Sequence, residues 1–161
     1  MKPVNPLTIE TDSDLEVVII REFAAPRDLL YRCHMEEELV RKWFLGPPGW
    51  TMPVCEIDAR VGGKYRYVWK LDSGTEMGWG GTFRDIVRPE RIVKTQLYDQ
   101  DWTGGETIGT MTFTESNGRT RLRNAIRYSS REARDGALQT GMADGMQAGY
   151  RKLDDFLETL E

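Results

Sequence analysis

Between Leu15 and Ile20 the chain runs Leu-Glu-Val-Val-Ile-Ile, and after Glu16 no polar residue interrupts the β-branched positions. Such a run predicts a first strand covered at least partly on both faces. Ala24-Ala25-Pro26 ends it, and Pro26 suits the first turn of a helix, where its missing N–H loses no partner. That helix carries Leu29, Leu30 and Cys33 on one side. Met35, Leu39 and Trp43 then recur every four residues, with Glu36, Glu37, Glu38, Arg41 and Lys42 between them. This predicts a second short helix, which Gly46-Pro47-Pro48-Gly49 stops.

The period then changes to two. Candidate strands cover 53–59, 63–70, 75–86, 91–98, 106–115 and 119–128, separated by turn signals. Tyr65, Tyr67 and Trp69 alternate with Lys64, Arg66 and Lys70, and Met77, Trp79, Gly81 and Phe83 continue the alternation in the next strand. A sheet with one wet face is expected to read this way. Ser116-Asn117-Gly118 supplies the positive-φ positions of a tight hairpin. That turn joins the Met111 and Phe113 strand to the strand of Leu122, Asn124, Ile126 and Tyr128. Short hairpins force antiparallel neighbours, so the middle of the chain is a meander with one aromatic face in need of a cover.

The end of the chain supplies that cover. Ser129 and Glu132 have capping-box spacing, and Leu138, Met142, Met146, Tyr150, Leu153, Leu157 and Leu160 follow every three or four residues. One amphipathic helix of roughly 30 residues would span about 45 Å. Gly136, Gly141, Gly145 and Gly149 within it each sacrifice about 1 kcal/mol relative to Ala. The expected compensation is close approach of the helix backbone to the sheet, the alternative being a stripe that leaves room for a ligand. The fold class is α+β: a curved antiparallel sheet wrapped around a long C-terminal helix, with two short helices after strand 1. No linker or repeat divides the chain, so residues 1–161 form one domain with a flexible tail at 1–6.

Composition narrows the function. The 161 residues carry 22 Lys plus Arg against 26 Asp plus Glu, a net charge of −4, without a basic cluster. A nucleic-acid footprint would need a concentrated basic face. The longest aliphatic run, 17–20, is far short of the roughly 20 residues of a membrane span, and the N-terminus has no signal-peptide core, so a cytoplasmic protein is expected. A single His34 with the distant Cys33 and Cys55 does not make a zinc ligand set, so no metal is expected. His34 reads as a surface or helix-end residue. No phosphate-binding loop, dinucleotide fingerprint or nucleophile elbow is present, and no nucleotide or redox cofactor is implied.

Five blocks, in order, carry a resemblance. They are Ala25-Pro26, Lys42-Trp43-Phe44-Leu45-Gly46-Pro47, Glu56-Ile57-Asp58-Ala59-Arg60-Val61-Gly62-Gly63, the run from Gly81-Thr82-Phe83 to Pro89-Glu90-Arg91, and Gly141-Met142-Ala143-Asp144-Gly145. Together they resemble the signature blocks of bacterial relatives of the heat-shock-protein ATPase activator, within the START-like, helix-grip superfamily, over roughly residues 15–160. The resemblance implies the fold just read and a cavity between helix and sheet that takes apolar or aromatic small molecules. It implies no shared catalytic residue, since lipid carriers, hormone receptors, polyketide cyclases, hydroxylase domains and co-chaperone domains all occur among such relatives.

The candidate cavity residues follow from the apolar faces. Trp43, Trp50, Tyr65, Tyr67, Trp69, Trp79 and Phe83 form the aromatic set, with Met111 and Phe113 from the hairpin strand and Met142, Met146 and Tyr150 from the helix. Asn124, Thr110 and Thr112 are candidate polar anchors among apolar neighbours. The expected partner is a small hydrophobic molecule of lipid, polyketide or flavonoid type. Two alternatives stay open. One is an enzyme of the cyclase, dehydratase or hydrolase kind, drawing on Glu76, Asp85, Tyr67 or Arg127 for acid–base chemistry. The other is a co-chaperone-like interaction module with a chaperone partner. Homodimerisation is left open, since no interface is readable.

Overall fold

Hairpin connections dictate the topology. The computed structural model describes residues 6–46, 48–100 and 105–160; most of the expected tail, at 1–5, lies outside them, as does Pro47 of the expected helix stop. Within them the strands are β1 (Thr8–Glu10), β2 (Glu16–Phe23), β3 (Trp50–Ile57), β4 (Lys64–Leu71), β5 (Glu76–Val87), β6 (Arg91–Tyr98), β7 (Thr107–Ser116) and β8 (Arg119–Arg127). They form one antiparallel sheet in the order β1-β2-β8-β7-β6-β5-β4-β3. The run from β3 to β8 is the expected meander. At the β7–β8 turn Asn117 has φ 54° and Gly118 φ 75°, the conformation that right-twisted strands need in a two-residue loop. Register shifts at Thr51/Val54 and Phe83/Asp85 bend β3 and β5.

Two helices follow β2: α1 (Arg27–Met35), with Pro26 at its N-cap, and α2 (Glu37–Trp43). Glu36, at φ −103° and ψ 123°, separates them. The expected single C-terminal helix is two. α3 (Arg131–Leu138) is followed by α4 (Met142–Thr159), and Gly141, at φ 78°, breaks the helix between them. A left-handed residue cannot continue a right-handed helix. The 18 residues of α4 therefore span about 27 Å rather than 45 Å. The cap of α3 is Ser130 rather than Ser129, its side chain accepting from the Ala133 N–H at 3.0 Å.

One face of the sheet packs beneath α1, α2 and α4. The register brings Phe23, Leu122, Phe113, Ile92, Phe83 and Tyr65 to that face, where they join Leu30, Val40, Trp43, Tyr150, Leu153 and Leu157 in the main core. A second cluster, Val17, Ile19, Ile126, Tyr128 and Ala137, seals the α3 end. β1 was not foreseen. It is only three residues long and pairs along the edge of β2 from Thr8↔Ile20 to Glu10↔Val18.

Candidate functional site

β4 builds the aromatic wall. Its alternation turns Tyr65, Tyr67 and Trp69 inward, and antiparallel pairing sets Tyr67 opposite Trp79 of β5. Trp69 and Trp79 lie 4.4 Å apart between ring centroids, and Trp79 lies 4.8 Å from Tyr98. Phe44, just past α2, stands edge-on to Tyr67, Trp69 and Trp79 at 5.0–5.8 Å, the geometry that ring quadrupoles favour. Trp43 stacks toward Tyr150, which meets Phe23 edge-on at 5.2 Å. The polar tips are anchored: Trp43 Nε1 donates to the Cys33 carbonyl, Trp69 Nε1 to the Phe44 carbonyl, and the Tyr65 hydroxyl to the Thr95 carbonyl at 2.7 Å.

The predicted residues thus divide by depth. Trp43, Tyr65, Tyr67, Trp69, Phe83, Met111, Phe113 and Tyr150 are buried in the main core, while Trp50, Trp79 and Met146 are half-buried against it. Met142 stands apart. It packs on the second cluster, where its Sδ accepts from the Tyr128 hydroxyl at 3.7 Å. Met146 touches both clusters.

The expected close approach of the α4 glycines to the sheet is not what the structure has. A Cβ built at Gly136, Gly141, Gly145 or Gly149 would meet nothing within 4 Å. Gly141 serves the break between helices, and Gly145 and Gly149 leave open space beside α4, with Gly149 half-buried.

Three polar side chains enter this apolar interior, and among the described residues two of them keep a buried atom without a hydrogen-bond partner. Asn124 of β8 is opposite Met111, on the inward face, and its Oδ1 is buried without a partner. His34, in the last turn of α1, is not a surface residue: its ring packs against Trp43 at 5.3 Å and Phe113 at 5.7 Å. Its Nδ1 donates to the Leu30 carbonyl at 2.8 Å, which leaves Nε2 as a buried acceptor that nothing meets. Burial drives its pKa down to about 4, so the ring is neutral at pH 7. The third is Lys94 of β6, opposite Phe83 on one side and Gly109 on the other. Its Nζ lies 4.6 Å from the Tyr65 ring centroid and 5.8 Å from that of Tyr67. Desolvation lowers its pKa to about 8, and among the described residues no carboxylate offsets it. Lys94 nonetheless keeps some accessible surface.

Sequence reasoning missed Lys94; of its two alternatives for His34, the helix-end position is the one the structure has. The available signal for Lys94 was its place two residues after Ile92, but Val93 and Leu97 make both faces of β6 look apolar.

The other candidates fall outside the interior. Thr110 and Thr112 flank the inward Met111 on β7, so they face outward, opposite Ala125 and Arg123. Glu76 and Arg127 are exposed, and Asp85 is tied to Arg91 at 2.6 Å. Of the acid–base candidates only Tyr67 is inside, and burial pushes its hydroxyl far above the ordinary tyrosine range, leaving a neutral donor. Cys33 and Cys55 are free and buried, and desolvation raises both thiols to about 11, away from the thiolate a nucleophile needs. Arg60 pairs with Asp58 at 2.8 Å in an exposed loop, as a structural residue would.

One interior polar group is fully engaged. Arg21 of β2 is 1% exposed and makes a bidentate contact with Asp154 of α4 at 2.6 and 2.8 Å. It also donates to Gln147 and to the Glu22 carbonyl, and its guanidinium lies 4.6 Å from the Phe23 ring centroid. A separate cleft of about 370 Å³ sits at the α1–α2 junction, lined by Met35, Glu36, Glu37, Glu38 and Ile57.

An aromatic wall, a facing helix and an interior with unpaired polar groups describe a cavity-type domain, and comparison with known proteins agrees. Residues 24–158 match the family of the Activator of Hsp90 ATPase homolog 1-like protein. The chain belongs to that family. A crystal structure of a Rhodobacter sphaeroides protein shares 31% identity at a TM-score of 0.89, covering 95% of this chain and 99% of its own. The Ms6760 protein of Mycobacterium smegmatis shares 25% identity at a TM-score of 0.81, with 94% and 97% covered. A family member from Silicibacter pomeroyi, 22% identical at a TM-score of 0.71 over 91% and 99% of the two chains, shares the fold. Among curated proteins nothing matches this chain. The family places the fold in the helix-grip superfamily, as the sequence blocks implied. No helix in the described residues is long and apolar enough to cross a membrane.

Proposed function

We propose that the protein binds a small, flat, largely apolar molecule between α4 and the aromatic wall of β4 and β5. The observation that carries this reading is the pair of buried acceptors, His34 Nε2 and Asn124 Oδ1, left without hydrogen-bond partners among the described residues in a largely apolar interior. Burying a polar atom unpaired costs roughly 1–3 kcal/mol. A sequence selected only to fill a core would place apolar groups there. A ligand with hydrogen-bonding substituents on an aromatic frame would satisfy both atoms and stack on Trp79 and Tyr67. The open space beside the half-buried Gly149 supports the same reading, because pockets combine apolar walls with a few polar groups and room to enter.

Tryptophan fluorescence tests it. Titration with naphthol and with flavone should give saturable quenching at micromolar concentrations. Gly149→Leu, which fills the open space on the half-buried side of α4, should weaken it at least tenfold with the fold intact by circular dichroism. Absence of quenching by either probe would overturn the reading, and undiminished binding to Gly149→Leu would move the ligand away from α4.

A further inference from the structure

Two of the interior polar residues lie beside one glycine. Gly109 of β7 is the register partner of Lys94, and a Cβ built on it would stand 3.5 Å from Asn124 Oδ1. That is ordinary van der Waals contact, so Gly109 sets the Asn124 side chain beside the strand that carries Lys94. Two positions along the same inward face of β7, Phe113 carries the His34 ring. Lys94, Asn124 and His34 therefore border one stretch of the interior, floored by Gly109 and Met111.

Their chemistry is complementary to an uncommon combination of substituents. Lys94 offers N–H donors and a full positive charge, and among the described residues no carboxylate meets it. The faces of Tyr65 and Tyr67 support the ammonium only through their ring quadrupoles. His34 Nε2, by contrast, is a neutral acceptor and must be met by a donor. An anion alone would satisfy the lysine and repel the acceptors, while a neutral hydrocarbon would satisfy none of them.

We propose that this site selects an aromatic hydroxy acid, its anionic oxygen on Lys94 Nζ and its hydroxyl donating to His34 Nε2, with Asn124 positioned for a second polar substituent. This specificity rests on the binding reading above and adds to it a charge preference that the aromatic wall does not supply. A buried ammonium without a counter-ion is destabilising, and a ligand carboxylate or phenolate would remove that penalty on binding.

Affinities at pH 7 for naphthoate, its neutral methyl ester and a hydroxynaphthoate with the hydroxyl on the distal ring would decide it. Wild-type protein should bind naphthoate at least about tenfold more tightly than the ester, and the hydroxy acid more tightly still. Lys94→Met, close in volume and uncharged, should erase the difference between acid and ester while leaving ester affinity within about threefold. His34→Phe should remove only the increment due to the hydroxyl. Equal binding of acid and ester by the wild type, or a preference for the acid that survives Lys94→Met, would overturn the charge selection and leave the general binding reading standing. Failure of all three probes to bind would overturn both.

Discussion

Two polar regions share the interior of this sheet, and they are built on opposite principles. At β2 a fully buried arginine is met by a carboxylate, an amide and a carbonyl, so that Arg21 ties α4 to the sheet through Asp154 and Gln147. At β6 and β8 lie a lysine and an asparagine on the same face, with the histidine of α1 above them; among the described residues Asn124 Oδ1 and His34 Nε2 have no hydrogen-bond partner, and Lys94 is met only by ring faces. Both regions pay the desolvation cost of polar burial. Only the first recovers it within the chain. The contrast teaches that polarity inside this fold has two uses, one to fix the cover and one to receive something from outside.

The comparison breaks most visibly if the pinned region is unpinned. Asp154→Asn removes the charge opposite a guanidinium that has no access to water, and should lower unfolding free energy by about 3–5 kcal/mol in urea titrations. The double variant Arg21→Met with Asp154→Leu should recover most of that loss, because the cost lies in the unpaired charge rather than in the absent ion pair. A loss below about 1 kcal/mol for Asp154→Asn would show that the pair is incidental.

The unpaired region should respond with the opposite sign. Lys94→Met removes a strained charge, so without ligand it should stabilise the protein at pH 7, by about 2 kcal/mol. The pH dependence follows from the lowered pKa. Below about 8 both native and unfolded chains carry the ammonium and the native state bears its full penalty. Between about 8 and the ordinary lysine value of 10.5 the unfolded chain binds the extra proton, so wild-type stability rises with pH. The advantage of Lys94→Met should therefore be constant below pH 8 and shrink toward zero near pH 10.5. His34 acts on the acid side. Its pKa of about 4 lies below the ordinary 6.5, so stability should fall as pH drops from 6.5 to 4, and His34→Phe should flatten that slope.

The pinned and open regions also differ in how legible they were. Tyr65, Tyr67 and Trp69 stand at alternate positions against Lys64, Arg66 and Lys70, so the aromatic wall could be read from polarity alone. Asn117-Gly118 fixed the β7–β8 hairpin because few other residues adopt its backbone. Arg21 and Lys94 resist such reading: each is a cation on an inward face, and period-two logic assigns charges to water. His34 stands four residues after Leu30, so it shares the buried face of α1, where it packs on Phe113, but a polar ring in that place reads as a residue for water. Tertiary pairing decides these positions, and a single strand or helix carries no record of it. The break at Gly141 was hidden for a related reason: four glycines at similar spacing looked equivalent, and a backbone angle distinguishes them.

That distinction gives the smallest effects and a sharp contrast along one helix. Gly145 and Gly149 lie within α4, away from the left-handed region, where an added Cβ meets nothing. Gly145→Ala and Gly149→Ala should each stabilise by up to about 1 kcal/mol, through helix propensity and a less disordered unfolded chain. Gly141 has equally open surroundings, but its φ of 78° belongs to a conformation that a Cβ penalises by roughly 1–2 kcal/mol. Gly141→Ala should therefore destabilise, with thermal unfolding of the three variants showing two shifts upward and one downward. Three upward shifts would mean that α3 and α4 can merge into one helix at little cost. The cover over the open region would then be held by the Arg21 contacts to Asp154 and Gln147 and by the apolar face of α4, and not also by the kink that starts α4.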